Sequence, residues 1–310
     1  MDIRKIETFL CAADNLTFSE TAKLLHLSQP TVSHQIKALE KELGVTLFRR
    51  NSTGLQLTEA GRLLLPWARR LIHDTNNLQD MMASLKDDIV GEIRIACSTT
   101  SGKYILPQIS TRFCQRYPGI RMRILACGAE QATINLLEGQ ADLGVVSSEV
   151  IASGLEVQQF FRDSIILIAP AGHPWAERDY IEPHEILEEP FLQREALSGT
   201  TRVVTEELAK FDISMDDLNS VMELGNAEAI VRTVASGYGV SFVSALAAAC
   251  SIDLGRVVEV SMKGMELQRT VYMVRKRVSA PHRARDAFWS FVHASENVDL
   301  LSLPEQIETA

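Results

Sequence analysis

The spacing of apolar residues predicts three helices near the start of the chain. Apolar positions recur every three or four residues in three runs, at residues 4–14, 19–25 and 28–44. In the third run Ser28 is placed to cap a helix, Pro30 falls in its first turn, and Gly44 follows its last apolar position. The apolar stripe of this helix consists of Val32, Ile36, Leu39 and Leu43. Three helices with a short turn before the last predict a helix-turn-helix.

The pattern after Gly44 predicts a hairpin and then one long helix. Two short extended segments flank the polar turn Asn51-Ser52-Thr53-Gly54, which is typical of a β-hairpin, or wing. Thr58 is placed to cap the next helix, which extends to about Lys86. Its apolar positions alternate at spacings of four and three: Leu64, Ala68, Leu71, Thr75, Leu78, Met82 and Leu85. This heptad-like seam indicates a helix that pairs with another helix; a long helix packed on its own domain is the alternative.

From Gly91 onward, short apolar runs alternate with helical patterns. Strands are predicted at residues 91–99, 120–127, 141–148, 164–170, 190–195, 220–224, 240–244 and 267–276. Helices are predicted at residues 105–117, 130–140, 202–211, 226–240 and 279–295. The alternation predicts βαβ units with parallel strands. A second α/β set lies between residues 164 and 266, after which the chain returns to the first set.

Composition favours a globular protein of the cytoplasm. The 310 residues are 46% hydrophobic and 23% charged, and no apolar run reaches the ~18 residues that a membrane span needs. Glu7 and Asp14 interrupt the start of the chain, so a secretory signal is not expected. Five cysteines without a CxxC pair argue against a disulfide framework or a zinc site.

The charge of the chain is divided unevenly. Residues 1–73 hold 10 lysines and arginines against 7 aspartates and glutamates, whereas the remainder holds 21 against 33. The net charges of these parts are therefore +3 and −12. A polyanion is expected to meet the mildly basic N-terminal part rather than the acidic body.

Several motifs, in order, resemble LysR-type transcriptional regulators. The N-terminal motifs are F-x-x-A-A at residues 9–13, TFSETAKLLHLSQPTVSHQIKALEKELGVTLFRR from Thr17, and LTEAGRLLL from Leu57. GEIRIACSTTSGKYILP, ADLGVVSS and SGYGVSFVS follow, in the order of that family's effector-binding region. The resemblance spans essentially the whole chain except its last ten residues.

The resemblance implies an α/β multi-domain fold with a winged helix-turn-helix, a long linker helix and two Rossmann-like α/β subdomains of type II periplasmic-binding-protein form. The expected boundaries are 1–60 for the winged helix-turn-helix, 61–90 for the linker and dimerisation helix, 91–163 with 268–301 for subdomain I, 164–267 for subdomain II, and 302–310 for a C-terminal tail. It also implies homodimers, which often pair into homotetramers, and promoter DNA and RNA polymerase as partners.

The third helix carries the predicted DNA contacts. The N-terminal residues of such a helix reach base edges in the major groove, and here Val32 and Ile36 face inward, which leaves the polar positions outward. Gln29 is suited to reading adenine and Thr31 to touching a thymine methyl group. The predicted DNA-binding residues are Gln29, Pro30, Thr31, Ser33, His34, Lys37, Arg49 and Arg50. The last three are placed for phosphates or for a minor groove beside the wing.

A crevice between the two subdomains is the predicted effector site, because ligands of open α/β sheets bind beyond the carboxyl ends of the strands. Hydroxyls and helix starts in these loops favour a small anion, with Arg194 as its clamp. An inorganic oxyanion and a compact carboxylate both suit. The predicted effector-binding residues are Ser98, Thr99, Thr100, Ser101, Gly128, Ala129, Ser147, Ser148, Gln193, Arg194, Thr200, Asn226 and Glu228.

Neither catalysis nor a cofactor is expected. The sequence lacks a GxSxG elbow, a phosphate-binding Walker loop and a GxGxxG turn, and its seven histidines show no metal-ligand spacing. An enzyme on an α/β fold and a passive binding protein stay as alternatives to a regulator. Cys97 and Cys127 are candidate redox sensors at strand ends, although neither has a lysine or arginine nearby in sequence to lower its pKa; small buried hydrophobes are the favoured interpretation.

Overall fold

The computed structural model describes residues 2–51, 54–83, 89–147, 154–196, 198–277, 282–294 and 297. Its N-terminal part, called the head below, is a winged helix-turn-helix, as the sequence predicts. The elements of the head are α1 (Ile3–Asn15), α2 (Phe18–Leu24), α3 (Gln29–Leu43), β1 (Phe48–Asn51) and β2 (Gly54–Leu57). Helix α4 (Glu59–Ala83) follows directly. Residues 52–53 of the predicted turn and Leu85 of the predicted seam lie outside the described residues.

Local chemistry accounts for the ends of α3. The Ser28 hydroxyl accepts a hydrogen bond from the Thr31 N–H at 3.2 Å, and Gly44 takes a left-handed conformation with φ 71°. A non-glycine residue would be strained at that φ. Leu43 is 38% exposed rather than part of the buried stripe, because the helix ends at that residue and its side chain reaches solvent. The core of the head contains Ile6, Phe9, Ile36, Leu39, Leu47, Phe48, Leu55 and Ala68.

Helix α4 extends beyond the head and presents two different faces. Ala68 is buried in the core of the head and Leu64 packs against that core, so these two residues do not belong to an outward seam. The reason is that one face of α4 packs on its own head from Ala60 to Ile72. A stripe of large apolar side chains is exposed on the helix: Leu63, Trp67, Leu71, Leu78 and Met82.

The rest of the described chain alternates strands and helices. These elements are β3 (Gly91–Cys97), α5 (Leu106–Arg116), β4 (Ile120–Ala126), α6 (Ala129–Leu137), β5 (Leu143–Val146), β6 (Leu155–Pro170), β7 (Phe191–Arg194), α7 (Gly199–Leu208), β8 (Ser220–Leu224), α8 (Ala227–Ala235), β9 (Ser241–Ser244), α9 (Ala245–Asp253), β10 (Val257–Val260), β11 (Leu267–Lys276) and α10 (Arg283–Val292). Helix α9 and strand β10 were not predicted from the sequence. A π-helical turn, Ser101–Ile105, precedes α5.

Parallel and antiparallel pairing are both present, whereas the sequence pattern indicated parallel strands. Strand β3 pairs in parallel with β4 and β5, and β7 pairs in parallel with β8. Strands β6 and β11 form a long antiparallel pair, and β6 also pairs antiparallel with β9 and β10. The register of the β6–β11 pair shifts between Val271 and Tyr272. The returning segment, β11, thus runs antiparallel to β6, whereas a crossover connection through a helix would make the two strands parallel.

Two lobes share this β6–β11 pair. The first lobe has a core that includes Ile93, Phe113 and Phe288 together with Phe161 of β6. The core of the second lobe includes Leu208, Phe242 and Ile165, and Ile165 also lies on β6. The two cores therefore meet along β6, between Phe161 and Ile165, and a cavity opens between the lobes next to this place.

Candidate functional site

The start of α3 presents the predicted DNA-binding residues to solvent. The side chains of Gln29, Pro30, Thr31, His34 and Lys37 are exposed, and Ser33 is half-buried. The hydroxyls of Thr31 and Ser28 are 2.7 Å apart. Arg49 is exposed on the wing, where β1 places it opposite Gln56, and the side chain of Arg50 lies outside what the structure describes. The geometry therefore leaves a polar, positively charged surface on one side of the head.

Hydrogen bonds fix α3 and the wing relative to each other. Glu40 Oε1 accepts from the Leu47 N–H at 2.7 Å and from the Phe48 N–H at 3.3 Å, which ties the helix to the base of the wing. The Thr8 hydroxyl donates to Gln35 Oε1, which ties α3 to α1. Gln35 is half-buried, and its side-chain oxygen is held by this bond.

A cavity of about 640 Å³ lies between the lobes. Seven of the predicted effector-binding residues line it: Ser98, Thr99, Thr100, Gly128, Ala129, Ser147 and Arg194. The starts of α6 and α7, and the start of the π-helical turn after β3, lie at this cavity, because their N-cap residues line it. Backbone N–H groups at helix starts carry partial positive charge, so their convergence favours an anion.

Gly199 is the point where α7 meets the loop that follows β5. A Cβ at this position would overlap with Ser147 Oγ and would lie 3.1 Å from Ser147 Cβ and 3.2 Å from Arg269 Nη1. Only a glycine allows the backbone of the second lobe to approach the first lobe this closely. The adjacent Ser198 hydroxyl caps α7 by accepting from the Thr200 N–H at 3.2 Å.

Arg269 lines the cavity and was missed in the sequence analysis. Its side chain is 5% exposed and forms an ion pair with Asp163, at 2.6 Å between Arg269 Nη2 and Asp163 Oδ2. Arg269 Nη1 also donates to Thr200 Oγ1 at 3.1 Å. A signal for it existed: Leu267, Val271 and Met273 are the inward positions of β11, and Arg269 interrupts this alternation.

Two further arginines face the cavity. Arg194 Nε and Nη2 donate to the two carboxylate oxygens of Glu195 at 2.7 and 2.8 Å. Arg202 Nη2 donates across the cavity to the Ser147 backbone oxygen at 3.1 Å, and its Nη1 lies 3.4 Å from Glu206 Oε1. Each arginine already has an anionic or carbonyl partner, so a ligand meets partly neutralised charges.

The remaining predicted residues lie outside the lining of the cavity or outside the described chain. Ser101 and Thr200 are buried beside it, with Ser101 Oγ 2.9 Å from Ser98 Oγ. Gln193 Oε1 accepts from the Ser220 hydroxyl, because the side chain turns toward β8. Asn226 caps α8, and Glu228 forms an ion pair with Lys103 at 2.7 Å. Ser148 is not among the described residues.

The cysteines near the cavity have an environment that disfavours thiolates. Burial, together with the nearby Cys127 thiol, raises the pKa of Cys97 to about 12. Burial also raises the pKa of Cys127, which lines the cavity. Because the thiolate is the reactive form, this environment gives no support to redox sensing at these two positions. Within the described residues, no group of three or more His, Cys, Asp or Glu side chains is arranged to hold a metal ion, and no helix is long and apolar enough to cross a membrane.

Comparison with known proteins gives matches over almost the entire chain. The family described as LysR substrate binding domain matches residues 86–296, and the family described as bacterial regulatory helix-turn-helix protein, lysR family, matches residues 3–62. An uncharacterised HTH-type transcriptional regulator of Methanocaldococcus jannaschii is 33% identical over 290 residues, which cover 94% of this chain and 98% of that protein.

Solved structures are similar as well. CbnR, a LysR family transcriptional regulator, superposes with a TM-score of 0.74 at 19% identity, over 98% of this chain and 100% of CbnR. The regulatory domain of CcmR from Synechocystis PCC6803, in complex with 2-PG, superposes with a TM-score of 0.59 at 25% identity. That match covers 65% of this chain and 95% of the CcmR domain.

Proposed function

We propose, because this chain belongs to the LysR family of transcriptional regulators, that it binds promoter DNA through α3 and the wing under the control of a small anion. The anion binds in the cavity between the lobes. The observation that carries this proposal is the convergence of helix starts, hydroxyls and arginines on that one cavity. A regulator with such a cavity senses a metabolite rather than converting it.

The exposed start of α3 supports sequence-specific DNA binding. Val32, Ile36 and Leu39 of its apolar stripe are buried and the polar residues at its start are exposed, so the helix can lie in the major groove without losing packing. Gln29 and Thr31 are proposed to read bases, and Lys37 and Arg49 to contact phosphates. The head is positively charged relative to the acidic lobes, which orients the molecule toward DNA.

The chemistry of the cavity supports an anionic effector with several acceptor oxygens. Ser98, Thr99 and Thr100 offer hydroxyl donors, and the arginines offer charge. The similar CcmR domain binds 2-PG, so phosphorylated or carboxylated metabolites of comparable size are proposed first, beside sulfate and phosphate. The cavity volume exceeds that of an inorganic ion, which favours the organic anions.

Pairing between chains completes the proposed mechanism. The exposed apolar stripe on α4 is proposed to pair with the same stripe of a second copy, and two such dimers to form a tetramer on DNA. Residues 1–60, 61–90 and 91–301 then serve as the DNA-binding, pairing and sensing parts. An anion that binds one arrangement of the lobes more tightly changes the separation of the heads, and thereby the access of RNA polymerase.

The test uses the full-length chain. DNA is selected from a random pool with and without sulfate, phosphate, 2-PG and small carboxylates, and the selected sites are footprinted. We expect one recurring sequence and a footprint that one of the anions changes. A chain that selects no sequence contradicts the DNA-binding proposal, whereas unchanged footprints and unchanged thermal stability with every anion contradict the proposed effector class.

A further inference from the structure

Arg194 is held by one neighbouring carboxylate. Arg194 is the last residue of β7 and is only 9% exposed. Two nitrogens of its guanidinium donate to the two carboxylate oxygens of Glu195, at 2.7 and 2.8 Å. This bidentate arrangement is the one that a ligand carboxylate or phosphate makes with arginine. The positive charge that the cavity offers at Arg194 is therefore neutralised by the protein itself.

Glu195 is fixed by its backbone, whereas its carboxylate depends on Arg194. The backbone oxygen of Glu195 accepts from the Ser198 N–H at 2.9 Å and from the Thr201 hydroxyl at 3.0 Å. The carboxylate accepts from Arg194 and from the Glu195 backbone N–H. Its side chain is 37% exposed and lines the cavity. The carboxylate can thus leave Arg194 by rotating into solvent while the loop stays in place.

The ion pair of Arg269 shows the opposite arrangement. Asp163 is 1% exposed, lies opposite Arg269 in the β6–β11 register, and also accepts from the Ser244 hydroxyl at 2.6 Å. Moving that carboxylate would leave the buried charge of Arg269 without a counter-ion, which is strongly unfavourable. The two pairs therefore differ in one respect: the counter-ion of Arg269 is locked in the interior, and the counter-ion of Arg194 faces the cavity.

We propose that the Glu195 carboxylate is an internal stand-in for the effector. It occupies the Arg194 guanidinium until an anion with two neighbouring oxygens displaces it. The inference rests on the proposed function and adds a specificity device to it. Because each anion must exchange with a bidentate carboxylate, an ion such as chloride, with a single acceptor atom, gains too little at Arg194 to displace Glu195. An anion that also reaches the helix starts regains the cost of the exchange.

The test removes the charge of Glu195 while keeping its shape. Sulfate and phosphate binding to the full-length chain is measured by titration calorimetry for the wild type, Glu195→Gln, Arg194→Gln and the double variant. We expect Glu195→Gln to bind both anions about tenfold more tightly, which corresponds to about 1.4 kcal/mol. Arg194→Gln and the double variant are both expected to bind more weakly than the wild type.

The matched control is Glu185→Gln. Glu185 also accepts two hydrogen bonds from an arginine, Arg178, at 2.5 and 2.8 Å, and its side chain is 33% exposed, but it lies outside the cavity lining. We expect anion affinity to stay unchanged in this variant. A second measurement needs only the wild type: in crystals grown with a bound anion, the Glu195 carboxylate should lie more than ~4 Å from the Arg194 guanidinium, beyond the limit of an ion pair.

The outcomes separate this inference from the proposed function. If Arg194→Gln weakens anion binding but Glu195→Gln leaves it equal or weaker, the cavity binds anions and the stand-in role is wrong. Retention of the Arg194–Glu195 pair in the anion-bound crystal also contradicts it. If neither the wild type nor Glu195→Gln binds any anion, the inference and the proposed effector class fail together.

Discussion

At the scale of single residues, Gly199 decides how closely the lobes approach. Its backbone lies against Ser147, where a Cβ has no room. We expect Gly199→Ala to hold the lobes apart and to weaken anion binding about tenfold, since a misplacement of about 1 Å can cost even more than that. Titration calorimetry with phosphate measures the effect.

Two comparisons check that interpretation. Gly172→Ala is the control, because a Cβ there meets no atom within 4 Å, and it should bind phosphate like the wild type. Adding Ser147→Gly to Gly199→Ala removes the overlapping side chain and should restore part of the affinity. Equal affinities for the wild type and Gly199→Ala would show that the approach of the lobes is irrelevant to binding.

A buried histidine predicts how stability depends on pH. Burial, more than the neighbouring Arg285 and His73, lowers the pKa of His282 from 6.5, against the opposing effect of Asp142 and Asp286. The unfolded chain thus takes up a proton that the folded chain resists. We expect the free energy of unfolding to fall as the pH drops below 6.5, by at most about 1.4 kcal/mol per pH unit.

Asp142 acts in the same direction at lower pH. Burial of Asp142 opposes its ionisation, but the hydrogen bond and charge of His73, together with the charge of Arg94, keep its pKa below 3.8. What Asp142 adds to the free energy of unfolding is therefore lost only as the pH falls below that value.

Denaturant titrations of the wild type and His282→Asn between pH 5 and 8 separate the two groups. Asn keeps the cap that His282 Nδ1 gives to the Arg285 N–H at 3.1 Å, and should flatten the slope near pH 6. An unchanged slope would contradict the assignment to His282.

The predicted residues that line the cavity are those whose position follows from topology. Ser98, Thr99 and Thr100 follow a strand, and strand ends of one lobe share an edge. Asn226 and Gln193 also follow or end strands, but their side chains are used for a helix cap and for a bond to Ser220. Which way a side chain turns depends on its neighbours in space, and this information is not local in sequence.

At the scale of elements, α4 separates two roles along one helix. One face of its N-terminal half packs on the head, and the apolar stripe on the other face, from Leu63 to Met82, is exposed. The heptad spacing predicted the helix and its apolar surface, but could not show that Leu64 and Ala68 are used within the head. Helix α9 escaped prediction because ALAAACSID is apolar or small on every side and has no amphipathic period.

A single charge on this stripe should interfere with pairing. Leu78 is 55% exposed, and in a helix pair its burial would contribute about 1.5–3 kcal/mol. We expect Leu78→Glu to weaken self-association at least tenfold in analytical ultracentrifugation. Gln79→Glu, on the neighbouring exposed position, introduces the same charge and should associate like the wild type. Equal association of both variants would place the pairing surface elsewhere.

At the scale of the whole molecule, the basic head and the acidic lobes divide the work electrostatically. We expect Lys37→Gln to weaken binding to all DNA sequences alike and to reduce the slope of log K against log salt by about 0.9. Gln29→Ala should instead relax the choice of bases with little change in that slope. Competition titrations at several salt concentrations measure both, with Lys210→Gln on the second lobe as the control. A sequence-dependent loss in Lys37→Gln would reverse these assignments.

Because β6 and β11 each run through both lobes, neither lobe is a transferable piece. A chimeric regulator joined between residues 163 and 164 would divide the 16-residue strand β6. Each fragment of β6 would then keep only part of its native pairing with β11. A splice ahead of Gly91 keeps both strands whole. Exchange of sensing properties between relatives should therefore succeed only when the donor supplies both lobes together.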